Sequence, residues 1–475
     1  MDHKIVLGIA PTRRGGVFVN PDALKQKALI YDVLKKLNFP QVELVDLEGI
    51  NEEGLLRGKE DVPQVIERFR AKGVNALFFP HCNFGSEHSV AKVAAAFHVP
   101  VLLWGPRDEA PEADGSRLRD TQCGLFATGK VLRRMNVPFT YLPNCRTTDP
   151  LFAKGLEVFL GAANVVKEFR KAKILQISVR PDDFWTMMCN EGELLEKFGI
   201  QIFPVSICDL VDRIERLLEE NPASVQETVA YIYQKAKVEI EDAAVRKLAC
   251  LKVAMKEFAL ENDCGAVAIQ CWYSLQKTLG IMPCLANALL TEEGIPVACE
   301  TDIHGAISSL ILQAAGRGVS PSFFVDWSVR HPEVENGELL QHCGPWPLSL
   351  AKETPVVTKP FAFSDNCPGS VVAECKGGEI TLLRFDGDHG EYGMLLGTAK
   401  GIEGPHNHGT YLWVEVPNWP KVETMIVKGP YVHHATGIHG NLLPVLYTAA
   451  EYLPGIRLDF YDEEQKKETE NVFFQ

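Results

Sequence analysis

The chain has 475 residues, of which 46% are hydrophobic and 23% are charged. This composition is typical of a globular protein with a buried interior and excludes an intrinsically disordered chain. No run approaches the roughly 20 apolar residues that cross a bilayer, so no membrane partner is expected. The 48 basic and 62 acidic residues give a net charge of −14, which argues against a nucleic acid partner because acidic surfaces repel phosphates.

The thirteen cysteines are scattered from Cys82 to Cys375, and none has the Cys-x-x-Cys spacing of a zinc or redox site. An odd, dispersed set indicates thiols that are kept reduced, which predicts a cytoplasmic protein. The apolar stretch at the start of the chain is too short for a secretory signal and is predicted to be the first strand.

Apolar runs alternate with segments of helical spacing along the first two thirds of the chain. Strands are predicted at 4–9, 42–46, 75–80 and 99–104, and again at 173–178, 201–204, 265–270, 296–299 and 323–326. A long helical segment at 152–170 separates the two series. The pattern predicts two Rossmann-like α/β domains with parallel sheets, residues 1–171 and 172–353.

The pattern changes at about residue 354. Short alternating segments at 370–375, 379–385, 392–398, 410–416 and 422–427 are separated by glycine-rich turns. Regular short strands of this kind predict a small antiparallel β-barrel or sandwich, residues 354–475, with a helix at 438–452. The expected fold class is therefore α/β, with two parallel-sheet domains followed by a small C-terminal antiparallel β-barrel.

The segment from Gly124 to Val131 resembles a phosphate-binding loop but departs from that motif. The motif needs Ser or Thr after the lysine to hold magnesium, and here Val131 follows Lys130. The alternative interpretation is a helix start. No G-x-G-x-x-G follows a predicted strand, so a nicotinamide or flavin site has no support.

Two acidic residues follow predicted strands of the second domain. Glu300 comes after the strand-like segment 294–298, and Asp326 ends the segment 322–326. Parallel strands place their carboxyl ends at one edge, where ligands bind. Carboxylates that converge there repel each other unless a cation holds them, and oxygen ligands suit Mn²⁺ or Mg²⁺. The alternative is that either acid caps a helix or pairs with an arginine.

The adjacent histidines His433 and His434 follow KGPYV in the last domain. Because neighbouring side chains point in different directions, at most one would bind a cation together with Glu300 and Asp326. Such a set leaves coordination positions open for substrate oxygens. The alternative is a structural role for both histidines.

These residues resemble the L-fucose isomerase and L-arabinose isomerase superfamily, in its fucose isomerase-like branch, over nearly the whole length. The segment from Val297 to Asp302, with Gly305 following, resembles the strand end that presents the metal-binding glutamate. Phe324-Val325-Asp326 resembles the segment of the metal-binding aspartate, and His434 matches the C-terminal histidine ligand, with His433 as the fallback. Phe84-Gly85-Ser86-Glu87 and Arg13-Arg14-Gly15 resemble substrate-side segments.

The resemblance implies an intramolecular oxidoreductase, an aldose–ketose isomerase that uses Mn²⁺, with Mg²⁺ or Co²⁺ as substitutes. It implies that Glu300, Asp326 and His434 bind the metal and that Glu300 and Asp326 are catalytic. These two acids would move a proton between C1 and C2 through a cis-enediol, although a hydride shift stays open. It also implies a sugar substrate and a homo-oligomer, a hexamer or a trimer. The implied substrate contacts are Gln270, Trp272, His433, Arg13 and Arg14; a solvated loop is the alternative for the arginines.

The sequence departs from the fucose branch in its first domain. His81-Cys82-Asn83 stands where a fucose enzyme is expected to carry a tryptophan that stacks on the sugar. This argues against L-fucose, and His81, Asn83 and the arginines suit a more polar or anionic sugar, such as a sulfonated hexose. The alternative function is a non-catalytic cytosolic sugar-binding or sensor protein on the same fold.

Overall fold

The computed structural model describes residues 3–16, 20–360 and 367–472. The chain forms two compact units. The first unit comprises residues 2–167, 444–454 and 468–475, and the second unit comprises residues 168–443 and 455–467. All thirteen cysteines lie in the described part of the chain and are free thiols. Among the described residues, no helix is long and apolar enough to cross a membrane.

The first unit contains a five-stranded parallel sheet. Its strands, in the order β2-β1-β3-β4-β5, are β1 (Ile5–Ile9), β2 (Val42–Val45), β3 (Ala76–Pro80), β4 (Val101–Trp104) and β5 (Thr140–Tyr141). The helices are α1 (Asn20–Leu37), α2 (Val62–Ala71), α3 (Glu87–Ala95), α4 (Thr121–Arg134) and α5 (Pro150–Arg170). The apolar runs predicted at 4–9, 42–46, 75–80 and 99–104 are all confirmed as strands, but β2 is largely exposed and not buried as predicted.

The second unit begins with a four-stranded parallel sheet in the order β10-β9-β6-β7. Its strands are β6 (Lys173–Ile177), β7 (Gln201–Val205), β9 (Ala266–Ile269) and β10 (Val297–Ala298). The helices of this part are α6 (Glu191–Phe198), α7 (Ile207–Glu220), α8 (Ala223–Lys235), α9 (Asp242–Glu261), α10 (Ser274–Leu279), α11 (Cys284–Glu292) and α12 (Ile303–Ala315). Every residue of α12 is buried, so this helix is central to the unit.

Six antiparallel strands of the second unit close into a barrel. In order of pairing they are β11 (Phe323–Arg330), β12 (Gly337–His342), β17 (Thr410–Glu415), β16 (Glu391–Ile402), β15 (Glu379–Asp388) and β18 (His434–His439), which returns to β11. Closure leaves no free edge within this circuit. Side chains such as Val325, Leu340, Leu382 and Leu412 belong to its apolar core.

Four short strands extend the barrel sheet. From β17 the extension runs through β14 (Ser370–Glu374) and β13 (Val356–Thr358) to β8 (Lys237–Val238), and β19 (Ile456–Phe460) pairs with β16. The remaining helices are α13 (Trp419–Lys428), α14 (Leu443–Ala450) and α15 (Glu463–Glu470). The predicted α/β class with a C-terminal antiparallel barrel is confirmed.

The structure corrects three predicted elements. The strand at 323–326 is not part of the second parallel sheet, because β11 pairs antiparallel with β12 and β18 in the barrel. The predicted strand at 422–427 lies in helix α13, whose start is capped by Asn418 accepting from the Lys421 amide. The predicted helix at 438–452 starts at Leu443, because residues 434–439 form β18.

The glycines of the segment that resembles a phosphate loop lie in helix α4. A Cβ on Gly124 would lie 1.7 Å from the carbonyl oxygen of Phe84, so only glycine lets the helix approach the loop after β3. A Cβ on Gly129 would lie 3.5 Å from the Phe139 ring, which is ordinary van der Waals contact. Gly124 therefore serves helix packing, in agreement with the alternative of a helix start.

We expect substitution by alanine to change the free energy of unfolding in opposite directions at the two glycines. Gly124→Ala should lower the free energy of unfolding by about 2 kcal/mol, because the added methyl group overpacks against a backbone carbonyl. Gly129→Ala should raise it by about 0.5–1 kcal/mol, because alanine loses less backbone entropy in a helix. Urea unfolding of the full chain, followed by circular dichroism, compares them. Equal effects of the two substitutions would contradict this packing.

Candidate metal centre

A strained turn places Glu300 at the carboxyl end of β10. Both Glu300 and Thr301 have left-handed backbone angles, with φ of 52° and 57°. The Thr301 amide donates to the carbonyl of Ile269 at the end of β9, which ties the turn to the neighbouring strand. Asp302 then caps helix α12 by accepting from the Gly305 amide at 2.8 Å. The turn thus fixes two acids at one edge of the parallel sheet.

One oxygen of the Glu300 carboxylate is held and the other is free. Oε1 accepts hydrogen bonds from the Cys271 thiol at 3.2 Å and the Trp272 indole at 3.0 Å, both from the segment after β9. Oε2 is buried and has no hydrogen-bond partner among the described residues. Burial raises the pKa of the Glu300 carboxyl, but the nearby His342 and His434 outweigh it and lower the pKa to about 2. Glu300 is therefore a charged acceptor with one oxygen to spare.

The barrel brings His434 and Asp326 to the same place, because they are paired neighbours on β18 and β11. His434 Nδ1 lies 2.8 Å from Asp302 Oδ2, and a carboxylate only accepts, so Nδ1 carries the hydrogen. In the neutral imidazole, His434 Nε2 then presents its lone pair. This nitrogen lies 3.5 Å from Glu300 Oε2 and 3.3 Å from Asp326 Oδ1.

Asp302 is held charged by the residues that contact it. Arg384, on barrel strand β15, binds Asp302 with two guanidinium nitrogens, and Arg384 also pairs with Asp386 at 2.6 Å. Burial raises the pKa of Asp302, but Arg384 and His434 outweigh burial and hold the pKa well below its usual range. The orientation and tautomer of His434 therefore depend on this buried ion pair.

A second histidine that the sequence analysis missed faces the same space. His342, the last residue of β12, places Nε2 3.6 Å from Glu300 Oε2, and this nitrogen is buried without a hydrogen-bond partner in the described part of the chain. Burial lowers the pKa of His342, but the charges of Asp326 and Glu300 outweigh it and raise the pKa well above its ordinary value. The surroundings of these carboxylates therefore favour positive charge.

The arrangement fits a divalent cation. Three atoms that carry lone pairs, Glu300 Oε2, Asp326 Oδ1 and His434 Nε2, are buried close together, and neither carboxylate oxygen has a hydrogen-bond partner among the described residues. Ligand atoms of Glu300, His342 and His434 lie within 4.8 Å of one another, as do those of Asp326, His433 and His434. Lone pairs placed this close repel each other unless a cation lies between them. Two carboxylates and an imidazole suit Mn²⁺ or Mg²⁺.

The predicted ligands lie close together, but one of them lies in a different sheet from the one predicted. Glu300 and Asp326 were expected at the ends of successive strands in one parallel sheet. Asp326 instead lies on barrel strand β11, so the site forms where the parallel sheet meets the barrel within the second unit. Among the residues that the sequence analysis did not single out, His342, Asp302 and Arg384 take part in the geometry.

Comparison with known proteins identifies a family. Residues 8–170 match the family described as "Fucose/sulfoquinovose isomerase, N-terminal domain". The sulfoquinovose isomerase of Alkalicoccus urumqiensis is 26% identical over 372 residues, covering 78% of this chain and 82% of the relative. That of Priestia megaterium (strain ATCC 12872 / QMB1551) is 25% identical over 401 residues, covering 82% and 86%. The chain is thus similar to fucose/sulfoquinovose isomerases in its first 170 residues and to sulfoquinovose isomerases over about four fifths of its length.

A further relative of this fucose isomerase-like protein is the sulfoquinovose isomerase of Clostridium sp. (strain MSTE9), 25% identical over 391 residues, which cover 79% of this chain and 84% of the relative. Among solved structures, a periplasmic solute-binding protein from Actinobacillus succinogenes with bound D-allose is 12% identical and covers 66% of this chain and 92% of that one. Its TM-score is 0.16, and a similarity of that size carries no argument.

Three of the predicted substrate contacts of this fucose isomerase-like chain lie near the centre. Trp272 contacts Glu300 directly, and Gln270 is buried with its Oε1 accepting from the hydroxyls of Ser178 at 2.8 Å and Ser274 at 2.7 Å. The His433 ring centroid lies 4.3 Å from that of His434. Their roles in binding a sugar stay predictions.

The other predicted substrate contacts belong to the first unit. Arg13 pairs with Glu53 at 2.7 Å, and Arg14 stacks on Phe84 and pairs with Glu87. His81 and Asn83 are fully buried after β3: His81 Nδ1 donates to the Phe84 carbonyl, and Asn83 Oδ1 accepts from the Arg14 amide. The structure brings Arg14, His81 and Asn83 together, and their contact with substrate stays a prediction.

The centre predicts that a metal stabilises the second unit. After chelator treatment and dialysis, Mn²⁺ at a hundred times its dissociation constant should add about 2.7 kcal/mol of stability and raise Tm by several degrees. Asp326→Asn should lose most of this rise because it removes one charged ligand. Glu374→Gln, on a half-buried acid of β14 that pairs with Lys352, is the matched control and should keep it. Scanning calorimetry measures the shift, and an equal rise in both variants would contradict the site.

Proposed function

We propose that this protein is an Mn²⁺-dependent aldose–ketose isomerase that acts on a sulfonated hexose of the sulfoquinovose type. The observation that carries the metal-dependent part is the convergence of three buried ligand atoms, since His434 Nε2 lies 3.5 Å from Glu300 Oε2 and 3.3 Å from Asp326 Oδ1. The names of the relatives, which align over about four fifths of this chain, support both the isomerase and the sulfonated substrate.

Glu300, Asp326 and His434 would hold the cation. When bound, a divalent cation supplies Lewis-acid polarisation of a sugar carbonyl and its neighbouring hydroxyl. Asp302 keeps the hydrogen of His434 on Nδ1, so that Nε2 stays available as a ligand. The orientation of the metal ligands is therefore set in advance by hydrogen bonds within the chain.

The two carboxylates would carry the hydrogen transfer. The Glu300 carboxylate would accept a proton from C2 of the aldose and return it at C1, while Cys271 and Trp272 hold its Oε1 in place. Asp326, whose side chain is 30% exposed, would move the hydroxyl proton between the two sugar oxygens. Carboxylates in such different surroundings can take separate acid and base roles.

Three further parts of the proposal concern the oligomer, the cellular location and the charge of the sugar. The resemblance to the isomerase superfamily supports a homo-oligomer, a trimer or a hexamer, and the thirteen free thiols support a cytoplasmic location. A polar first-unit loop with Arg14, His81 and Asn83 supports an anionic sugar, since it replaces an expected stacking tryptophan. Size-exclusion chromatography with light scattering measures the oligomer directly.

The isomerase proposal predicts a loss of turnover in Glu300→Gln. With Mn²⁺ and sulfoquinovose, the native protein should form the corresponding ketose, followed by ¹³C NMR, and the variant should be at least about a thousandfold slower. Glu374→Gln should keep native turnover. In D₂O, deuterium should enter C1 of the ketose if a proton rather than a hydride moves.

Other outcomes of this experiment contradict the proposal. Unchanged turnover in Glu300→Gln would remove Glu300 from the chemistry. Sugar binding by the native protein, measured calorimetrically, without any turnover would indicate the sugar-binding or sensor function instead. Conversion of L-fucose but not of sulfoquinovose would overturn the sulfonated substrate class.

A further inference from the structure

An arginine that no carboxylate neutralises follows strand β6, beside the candidate centre. The two arginines that were predicted to contact substrate, Arg13 and Arg14, already pair with Glu53 and Glu87. Arg180 instead has no carboxylate oxygen within 4.0 Å among the described residues. This is unexpected in a chain with a net charge of −14. The positive charge of Arg180 is therefore available to an anionic ligand.

The turn that carries Arg180 is bonded to the turn that carries Glu300. Ser178 has a left-handed φ of 67° and turns the chain where β6 ends. The Val179 carbonyl then accepts a hydrogen bond from the Thr301 hydroxyl at 3.3 Å, and Thr301 directly follows Glu300. The two turns are thus joined at one edge of the parallel sheet, and Arg180 is the residue next to the contact.

The spacing of the strands places Arg180 and Glu300 at a distance that suits the two ends of a hexose. Because β10 and β6 flank β9, the strand ends that lead to these two residues are about 10 Å apart, which is two strand spacings. Gln270, at the end of β9, lies between them. Four residues after Arg180, the Phe184 ring packs against Trp272, with 5.2 Å between the ring centroids. The segment after β6 therefore lies against the residues that hold Glu300.

The guanidinium of Arg180 is held by the backbone and keeps free donors. Its Nη1 donates to the carbonyls of Pro181 and Asp182, both at 3.1 Å, and in the described part of the chain its Nε and Nη2 have no acceptor. Arg180 is half-buried, whereas Asp182 and Asp183 are exposed and do not pair with it. A guanidinium is planar and always charged, so it binds a tetrahedral oxyanion through two parallel hydrogen bonds.

We propose that Arg180 binds the sulfonate of the substrate and so selects a sulfonated hexose over a neutral one. This inference rests on the proposed isomerase function. In sulfoquinovose the sulfonate is at the opposite end of the carbon chain from C1 and C2, so a sugar that reacts at Glu300 extends its sulfonate along the sheet edge towards Arg180. Arg180 is a specificity residue, because it contacts the anion and not the reacting carbons. It binds substrate and transition state equally, so its loss should raise KM and leave kcat unchanged.

Turnover with Mn²⁺ and sulfoquinovose gives the first readout. Arg180→Gln should raise KM about a hundredfold and change kcat by less than about threefold, because it removes a pair of charge-assisted hydrogen bonds. Arg180→Lys keeps the charge but not the two parallel bonds, and it should recover about tenfold of the loss. Arg216→Gln, on an exposed arginine of α7, is the matched control and should keep the native KM. Circular dichroism and Tm verify that each variant is folded.

Binding of sugar alcohols, which cannot isomerise, gives the second readout. Isothermal titration calorimetry of the Mn²⁺-loaded protein compares the alcohol made by borohydride reduction of sulfoquinovose with sorbitol, its uncharged counterpart. The native protein should bind the sulfonated alcohol about a hundredfold more tightly than sorbitol, and Arg180→Gln should lose this difference. The affinity for sorbitol should be the same in both proteins, because sorbitol has no group for Arg180 to bind.

Several outcomes would overturn the inference. A native KM for sulfoquinovose in Arg180→Gln would remove Arg180 from recognition, and so would a native protein that does not prefer the sulfonated alcohol. An equal loss of affinity for both alcohols in Arg180→Gln would indicate a disturbed sugar site instead of a lost anion contact. If the native protein turns over no sugar, the proposed function fails, whereas an Arg180-dependent affinity for the sulfonated alcohol would still support the anion site.

Discussion

The candidate centre depends on one buried carboxylate, that of Asp302. Its oxygens cap the first turn of α12, pair with Arg384 on β15 and accept from His434 on β18. A single side chain therefore joins the edge of the parallel sheet to two strands of the barrel. Without it, His434 would have no fixed tautomer, and its Nε2 lone pair would not be directed at Glu300 and Asp326.

A contribution to folding stability does not explain the ion pairs around Asp302. Arg384, Asp302 and Asp386 are all buried, and removing such charges from water costs about as much as their attraction returns. A hydrophobic cluster of the same volume would hold α12 against the barrel equally well. Unlike such a cluster, the network fixes a hydrogen on Nδ1 of His434. We interpret the charge as positioning the imidazole of His434.

Local patterns predicted much of the fold but not the strand partners. The strands of the first sheet were found because buried parallel strands give short continuous apolar runs. The run around Asp326 has the same composition, yet it pairs with β18 far along the chain, and apolar content does not distinguish a parallel sheet from a barrel. At 422–427, a short alternating segment suggested a strand, but the cap at Asn418 and the apolar face of α13 favour a helix.

The candidate site, like the fold, could be predicted from the sequence only in part. Glu300, Asp326 and His434 were predicted as a set, because acids at strand ends and a late histidine are visible in the sequence and match a known family. His342 gave no such signal, since its approach to Glu300 depends on the pairing of β12 with β11 and β17, which the sequence does not show. The arginines of the first unit were visible as charges, but their pairing with Glu53 and Glu87 was not.

The backbone at Glu300 shows how the fold maintains an unfavourable geometry. Left-handed angles at Glu300 and at the β-branched Thr301 each cost about 1–3 kcal/mol, and nothing in the sequence indicates them. They persist because the Thr301 and Asp302 amides donate to Ile269 and Cys299. A relaxed turn would carry Glu300 away from Cys271 and Trp272, which leave only Oε2 free. The strain is therefore the cost of directing one carboxylate oxygen into the centre.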